Sequence, residues 1–325
     1  MKRKGLFMVT VLVLTMVLVP TVFYGCKKKS TGTEQKGIVI GYIAKNSTDT
    51  FHGPLNAAAR KELDSLKASG KIANWYFYDG LTNPVTQVEL MDTAINAGCT
   101  HIVFLPAEAA GSAPVLTKAK EKNIPVIVVN SMTTNTEQLA AGYVGSDDVQ
   151  AGEMMAQFVQ SKLPNGGGYG HIQGVIGNSA QIQRGQGIHN ILDKDSKWKL
   201  LDGAEQTGDW QADKAVNFAM DWLAKFGQGL NAIICDNDDM SSAAQNYVNS
   251  RNRRDIVCIG VDGNAGPMNM VKNGDLLATV FQDGVGQVLK GIELIMKVAN
   301  GESVPKTNMV PFVLITKDNV DQYLK

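Results

Sequence analysis

From Gly37 onward, the sequence alternates short runs of consecutive apolar residues with longer amphipathic stretches. A run that is apolar at every position is typical of a strand covered on both faces, whereas a longer amphipathic stretch predicts a helix. The apolar runs of the first half are GIVIGYIA, WYFYDG, THIVFLP and PVIVVN, and the helices predicted between them cover 53–69, 84–97 and 113–122. This alternation predicts a doubly wound parallel sheet with helices on both faces.

The same alternation begins again at AGYVGS, residues 141–146. The further strands are HIQGVIG, KLLDGAEQ, NAIICDND, IVCIGVDG and LLATVFQD, and the further helices cover 150–163, 181–193, 212–226, 266–273 and 284–300. The glycine-rich NGGGYG, residues 165–170, precedes a strand and lacks a following Lys-Ser or Lys-Thr, so we interpret it as a loop rather than a phosphate cradle. The roughly 300 residues that follow the N-terminal segment are more than a single hydrophobic core usually covers, so two lobes are expected. The predicted fold class is therefore α/β, with two doubly wound parallel-sheet lobes.

The N-terminal segment has the organisation of an export signal. Basic residues at 2–4 precede an apolar run without charge, which ends at Gly25-Cys26. The segment resembles a bacterial lipoprotein signal, with Phe23-Tyr24 departing from the usual pattern, and this resemblance implies lipidation of Cys26 and a flexible linker over 27–36. An uncleaved membrane helix is the alternative, because the run is about long enough to span a bilayer. We predict an exported protein with a signal peptide over 1–26, located in the periplasm or on the outer face of the cytoplasmic membrane.

Charge and side-chain chemistry argue against several functions. Three of the 31 basic residues and none of the 31 acidic residues lie in the first 25 positions, which leaves a net charge of −3. Nucleic-acid binding requires a basic surface instead. Cys99, Cys235 and Cys258 lie in or beside apolar runs, which predicts buried thiols. The four histidines show no metal-ligand spacing and no Gly-x-Ser-x-Gly motif occurs, so the sequence predicts no metal site, no cofactor and no enzyme.

Polar and aromatic residues follow several of the predicted strands. The densest group is Asp236, Asn237, Asp238 and Asp239, directly after the run NAIIC. Ligands of open α/β sheets bind beyond the carboxyl ends of the strands, so these residues predict a ligand cleft there. Adjacent carboxylates at a strand end point in different directions, which argues against a glycosidase pair or a metal cluster. Asp238 or Asp239 is instead predicted to cap the following helix.

Six motifs occur in an order and spacing that resemble the periplasmic sugar-binding proteins of the ribose- and galactose/glucose-binding group. They are PVIVVN, YVGSDDVQAG, GNSAQIQRGQG, DNDDMSSAA, GVDG and LLATVFQD. The resemblance implies a type I periplasmic binding protein: a monomeric receptor that binds a sugar or polyol, serves an ABC transporter permease, and is held at the membrane by a lipid on Cys26. Two lobes joined by a three-strand hinge would close on the ligand. The implied lobes are 37–145 with 283–311 and 146–282 with 312–325, and the implied crossings lie near 144–146, 282–284 and 311–313.

The resemblance also implies which residues bind the ligand. Phe51 and Trp210 match the two aromatic walls of the family, and Arg184 matches an arginine that bonds ring and hydroxyl oxygens. These roles agree with sugar chemistry, because C–H faces pack on aromatic rings and hydroxyl edges pair with donors and acceptors. The predicted ligand-binding residues are Asp49, Phe51, His52, Asn130, Arg184, Trp210, Asn237, Asp262 and Gln282.

Several positions depart from the family pattern and leave the identity of the sugar open. Leu105 stands where the ribose and galactose proteins have an asparagine, and Asn178 stands where the galactose proteins have a histidine. With Lys45 and Ser131 they form a second group of candidate ligand-binding residues. The calcium loop of the galactose protein is missing, so no metal is predicted there. A sugar-sensing subunit for a chemoreceptor or histidine kinase has the same sequence features, and a carbohydrate-processing enzyme is the third alternative.

Overall fold

The computed structural model describes residues 37–324 and the isolated Gly5. The predictions for the signal peptide over 1–26, for lipidation of Cys26 and for the linker over 27–36 lie outside the described residues. The strands are β1 Val39–Ala44, β2 Asn74–Asp79, β3 His101–Phe104, β4 Val126–Asn130, β5 Gly142–Gly145, β6 Gly167–Gln173, β7 Trp198–Thr207, β8 Leu230–Cys235, β9 Val257–Ile259, β10 Val261–Asp262, β11 Ala278–Phe281, β12 Thr307–Met309 and β13 Val313–Thr316. The helices are α1 His52–Ala68, α2 Pro84–Asn96, α3 Ala113–Glu121, α4 Thr136–Leu139, α5 Asp148–Lys162, α6 Ser179–Leu192, α7 Ala212–Phe226, α8 Asp238–Ser250, α9 Ala265–Asn273 and α10 Gly284–Ala299.

The first half of the fold is a six-stranded sheet with the order β12-β5-β4-β3-β1-β2. All of its strand pairs are parallel. Apolar residues of α1 and α10 pack with one face of the sheet, and those of α2 and α3 pack with the other. The predicted doubly wound parallel sheet is confirmed in this half. Strand β12 arrives from near the end of the chain and pairs Thr307 with Tyr143.

The second half contains two sheets rather than the single sheet that was predicted. A four-stranded parallel sheet has the order β7-β6-β8-β9, and a three-stranded sheet has the order β10-β11-β13, in which β13 is antiparallel to β11. The break falls at Gly260, where a Cβ would lie 2.4 Å from the carbonyl oxygen of Asn237. The chain can pass that close to α8 because the residue is glycine. One apolar cluster, which includes Ile234, Ile259 and Val280, nevertheless packs across both sheets.

Side-chain caps determine where several helices begin. Asn83, Asp147, Asn178, Asn237 and Asp283 each accept a hydrogen bond from a backbone N–H in the first turn of the helix that follows. Such a bond satisfies one of the free donors at a helix start and stabilises the helix by about 1 kcal/mol. These caps explain why α5 and α6 each begin two residues before the predicted starts at 150 and 181.

The prediction of a loop over NGGGYG was wrong. Four of its residues, 167–170, belong to β6, while the apolar VIG of the predicted strand lies beyond it. The glycines of β6 allow close packing: a Cβ on Gly170 would lie 2.3 Å from the Trp222 ring, and one on Gly168 would lie 2.3 Å from the carbonyl oxygen of Gly229. None of the helices in the described part of the chain is long and apolar enough to cross a membrane.

Candidate ligand-binding site

A polar cavity lies where the carboxyl ends of strands from both halves meet. The empty space there, which includes solvent at its open side, is about 470 Å³. The residues that line it are Lys45, Asp49, Thr50, Phe51, His52, Asn130, Ser131, Ala180, Arg184, Trp210, Asn237, Asp239, Asp262 and Gln282. The set includes all nine residues predicted to bind ligand, together with Lys45 and Ser131 of the second group.

The loop between β1 and α1 supplies one wall of the cavity. His52 is buried and donates from Nδ1 to both carboxylate oxygens of Asp49 at 2.8 Å, and the backbone N–H of His52 donates to the same carboxylate at 2.6 Å. Burial acts to raise the pKa of Asp49, but the charge and hydrogen bonds of His52 outweigh it and hold that pKa at about 2. The Phe51 ring meets the His52 ring edge to face with centroids 5.1 Å apart. Asp49 therefore fixes the imidazole orientation in the cavity.

Arg184, from α6, is buried at the floor of the cavity and held by three acceptors. Its Nε donates to Asp148 at 2.8 Å and its Nη2 donates to the Gln282 side chain at 3.2 Å. Its Nη1 donates to the carbonyl oxygen of Asp236. Burial raises the pKa of Asp148, and the guanidinium group opposes that shift. Arg184 thus links α5, α6, β8 and β11 in one network.

Trp210, in the segment that follows β7, also lines the cavity and has an unusual backbone conformation. Both Asp209 and Trp210 have positive φ, 51° and 66°, a region that L-residues rarely adopt. Lys45 Nζ lies 4.9 Å from the centroid of the indole ring, within cation–π range. Burial lowers the pKa of Lys45 to about 8. A Cβ on residue 174 would lie 2.0 Å from the indole ring. The ring can pack there only because residue 174 is glycine.

The residues of the acidic group after β8, 236–239, have different structural roles. Asn237, rather than Asp238 or Asp239, caps α8 by accepting from Met240 N at 3.1 Å, so the predicted cap was wrong by one or two residues. Asp238 is fully buried and accepts hydrogen bonds from Gly263, Asn264 and Thr279. The Asn237 amide still borders the cavity and donates to the carbonyl oxygen of Trp210 at 3.3 Å. Asp239 reaches across to the other half and accepts from Thr50.

Two further cavity residues at strand ends adopt positive φ. Asn130, at the end of β4, has a φ of 70°, and Asp262, at the end of β10, has a φ of 145°. Non-glycine residues in such conformations concentrate at binding sites, where surrounding contacts hold them in place. Asn130 donates to Gln287 at 3.0 Å. Burial and the nearby charge of Asp238 raise the pKa of Asp262 well above its usual range.

Three polar atoms at the cavity have no hydrogen-bond partner within the described part of the protein. They are His52 Nε2, Trp210 Nε1 and Gln282 Nε2, and all three are buried. The indole and amide nitrogens are donors, and the imidazole nitrogen accepts or donates according to its tautomer. A buried polar group without a partner costs about 1–3 kcal/mol. A ligand that carries hydroxyl groups can satisfy all three.

Two residues of the second predicted group do not line the cavity. Leu105 is packed in the apolar core under α1 and α10, so its side chain is not available to a ligand. Asn178 caps α6, and its amide donates to the carbonyl oxygen of Ala107 at 2.8 Å, which joins the two halves. The predicted set omitted Thr50, Ala180 and Asp239, which also line the cavity. Thr50 donates to Asp239, and this pairing could not be predicted from the sequence because the two residues are 189 positions apart.

The fold and the cavity together define a type I periplasmic sugar-binding protein. The family model described as the periplasmic binding protein domain matches residues 40–303, and the chain belongs to that family. The relatives of this chain include the xylitol-binding protein of Mycolicibacterium smegmatis, which is 34% identical over 236 residues, or 73% of this chain and 66% of that protein. Another is the ribose import binding protein of Bacillus subtilis, 27% identical over 294 residues, or 89% of this chain and 91% of that protein.

Solved structures of ABC transporter solute binding proteins share the fold. One from Bacillus halodurans with bound myo-inositol has a TM-score of 0.83 and 25% identity, over 90% of this chain and 99% of that one. One from Mycobacterium smegmatis with bound glycerol has a TM-score of 0.79 and 26% identity, over 89% of this chain and 97% of that one. The expectation of a type I periplasmic binding protein related to the sugar-binding group is confirmed.

Proposed function

We propose that this protein is the solute receptor of an ABC importer and that it binds a sugar or polyol in the cavity between its two halves. The observation that carries the proposal is the set of three buried nitrogens, on His52, Trp210 and Gln282, that have no partner in the described protein. The three residues line one cavity together with the acceptors Asp49 and Asp262. A polyhydroxylated ligand both donates and accepts at each hydroxyl, so it matches this mixture.

The shape and chemistry of the cavity favour a monosaccharide, a cyclitol or a linear polyol. Phe51 and Trp210 supply apolar ring faces, and Arg184 and Lys45 supply charged donors. Relatives named for xylitol and ribose, and solved structures that hold myo-inositol and glycerol, support this range of ligands. Micromolar binding requires about −8 kcal/mol. Two aromatic contacts and several charge-assisted hydrogen bonds are sufficient for that affinity.

In this proposal, ligand binding closes a hinge between two lobes. The lobes are 37–145 with 283–311 and 146–282 with 312–325. A ligand that contacts Phe51 on one side and Trp210 on the other gains its full set of contacts only when the lobes are closed, so it shifts the equilibrium toward closure. Hydrogen bonds between the halves support a closed form, including Asn178 to Ala107 at 2.8 Å and Met132 N to the Ser179 hydroxyl at 2.8 Å.

The closed protein would deliver its ligand to a membrane permease from outside the cytoplasm. An export signal over 1–26 and a lipid on Cys26 would keep the receptor at the membrane surface, and the periplasmic relatives support export. No chemical step is needed for this role, so we propose that bound sugar is released unchanged.

A calorimetric screen of purified protein against pentoses, hexoses, cyclitols and linear polyols tests the proposal. We expect one ligand class to bind with 1:1 stoichiometry and micromolar or tighter affinity, and to raise the unfolding temperature, because a ligand that binds only the folded form stabilises it. Recovery of the bound sugar unchanged after incubation would agree with a receptor, whereas product formation would identify an enzyme. Absence of binding across all four classes would contradict the proposal.

A further inference from the structure

A second polar cluster lies in the C-terminal half, outside the sugar cavity. It consists of His171 on β6, His189 on α6 and Glu205 on β7. One ligand atom from each residue lies within 4.8 Å of the other two. The Glu205 carboxylate contacts His171 Nδ1 at 3.0 Å and His189 Nε2 at 2.9 Å. Two imidazole nitrogens and a carboxylate oxygen therefore converge on one point.

We propose that His171, His189 and Glu205 form a binding site for a zinc ion. Zinc is bound by imidazole nitrogens at about 2.0–2.1 Å and by carboxylate oxygens at about 2.0–2.2 Å, and three protein ligands with one water are a common set. Glu205 and His189 are each about one-third exposed, so a small rotation of the carboxylate makes room for the ion and water reaches the fourth position. The sequence spacing of the histidines predicted no metal site, and this proposal departs from that prediction.

Both histidines have the outer partners that metal ligands usually have. His171 Nε2 contacts Asp236 at 2.9 Å, and both of these side chains are fully buried. His189 Nδ1 contacts Asp193 at 3.2 Å. A carboxylate on the far nitrogen fixes the ring orientation and increases the basicity of the ligating nitrogen. In each ring, the nitrogen that faces Glu205 is thereby presented to the ion.

The charge balance at the cluster suits a cation. Three carboxylates, of Asp193, Glu205 and Asp236, surround the two imidazoles. An imidazole must be neutral at the nitrogen that binds a metal, so zinc binding releases any proton held there and becomes tighter as pH rises.

The zinc site would lie outside the sugar cavity but would be connected to it through Asp236. Asp236, the outer partner of His171, also accepts from Gly174 N, and its carbonyl oxygen accepts from Arg184. The ion would connect β6, α6 and β7 to the end of β8. A metal that binds only the folded form stabilises the protein against unfolding.

Zinc titration of purified, tag-free, EDTA-treated protein at pH 8 tests the proposal. We expect one equivalent of zinc to remain bound after gel filtration, proton release on binding, and no comparable binding of Mg²⁺, which prefers oxygen ligands. His189 and Glu205 are partly exposed, so replacing them should leave the protein folded. The variants His189→Gln and Glu205→Gln should each weaken zinc binding at least about tenfold. His101→Gln, at a half-buried histidine of the other half, should leave it unchanged.

Substitution with Co²⁺ provides a readout that does not depend on stability, because its visible absorption reports nitrogen and oxygen ligation. That spectrum should appear in the unsubstituted protein and be lost in His189→Gln. Circular dichroism will show whether each variant is folded. The proposal is overturned if the unsubstituted protein retains no zinc, or if the folded His189→Gln and Glu205→Gln variants bind zinc and Co²⁺ as it does. The cluster would then be an ion-pair network only.

Discussion

Replacing Arg184 with methionine should affect stability and ligand binding separately, and a second substitution can distinguish the two effects. Arg184 is only 3% exposed and donates to Asp148, to Gln282 and to the carbonyl oxygen of Asp236. Methionine keeps much of the apolar stem but removes the guanidinium group. Asp148, itself 2% exposed, then loses its charged partner.

The stability effect arises because the buried Asp148 carboxylate has lost its charged partner. Breaking a buried ion pair by removing one partner costs about 3–5 kcal/mol. Burial already raises the pKa of Asp148 and Arg184 opposes the shift, so that pKa should rise further in Arg184→Met. A carboxyl whose pKa is higher in the folded than in the unfolded state makes unfolding easier as pH rises. The variant should therefore lose most stability at high pH, and Arg184→Met with Asp148→Asn should recover much of it.

The binding effect should persist in the double variant. Losing a charged donor to a buried hydroxyl costs about 1–3 kcal/mol, or roughly 5- to 150-fold in affinity. Isothermal titration at pH 7 with the best ligand of the unsubstituted protein, together with thermal unfolding from pH 5 to 9, measures both quantities. Near-normal affinity in Arg184→Met/Asp148→Asn would refute the assignment of Arg184 to ligand binding.

Three further changes have distinct expected results. Gly174→Ala should displace the Trp210 ring and weaken ligand binding about tenfold, because overpacking of this kind costs about 1–3 kcal/mol; unchanged titration and Trp210 fluorescence would contradict this. Asn178→Ala and Asn83→Ala each remove a helix cap and should lower stability by about 1 kcal/mol. Only Asn178→Ala should also weaken binding, since its amide joins the halves, and equal affinities would exclude that role. Ligand affinity should fall as pH rises through about 8, where Lys45 loses its proton. If a Lys45→Met variant keeps this pH dependence, the dependence belongs to another group.

The order of strands and helices was predictable because continuous apolar runs and amphipathic stretches carry different periodicities. The residues that line the cavity were predictable as a group because most of them follow the carboxyl ends of strands, where polar side chains of an α/β fold converge. The resemblance to a known family contributed the individual positions. The glycine-rich start of β6 was missed, since its glycines serve packing against Trp222 and Gly229 rather than a turn.

Side-chain direction and long-range pairing could not be predicted from the sequence. Leu105 aligns with a binding position of the family, yet its apolar side chain is stabilised in the core. The choice of Asn237 over its acidic neighbours as helix cap depends on backbone angles at the end of β8. His171 and Glu205 are 34 positions apart, and only the pairing of β6 with β7 brings them together.

A crystal structure of the protein with its tightest-binding sugar or polyol tests the central claim most directly. We predict that the ligand lies between Phe51 and Trp210 and accepts or donates hydrogen bonds at His52 Nε2, Trp210 Nε1 and Gln282 Nε2. A ligand located away from this cavity, or one that leaves those three nitrogens unpaired, would contradict the account.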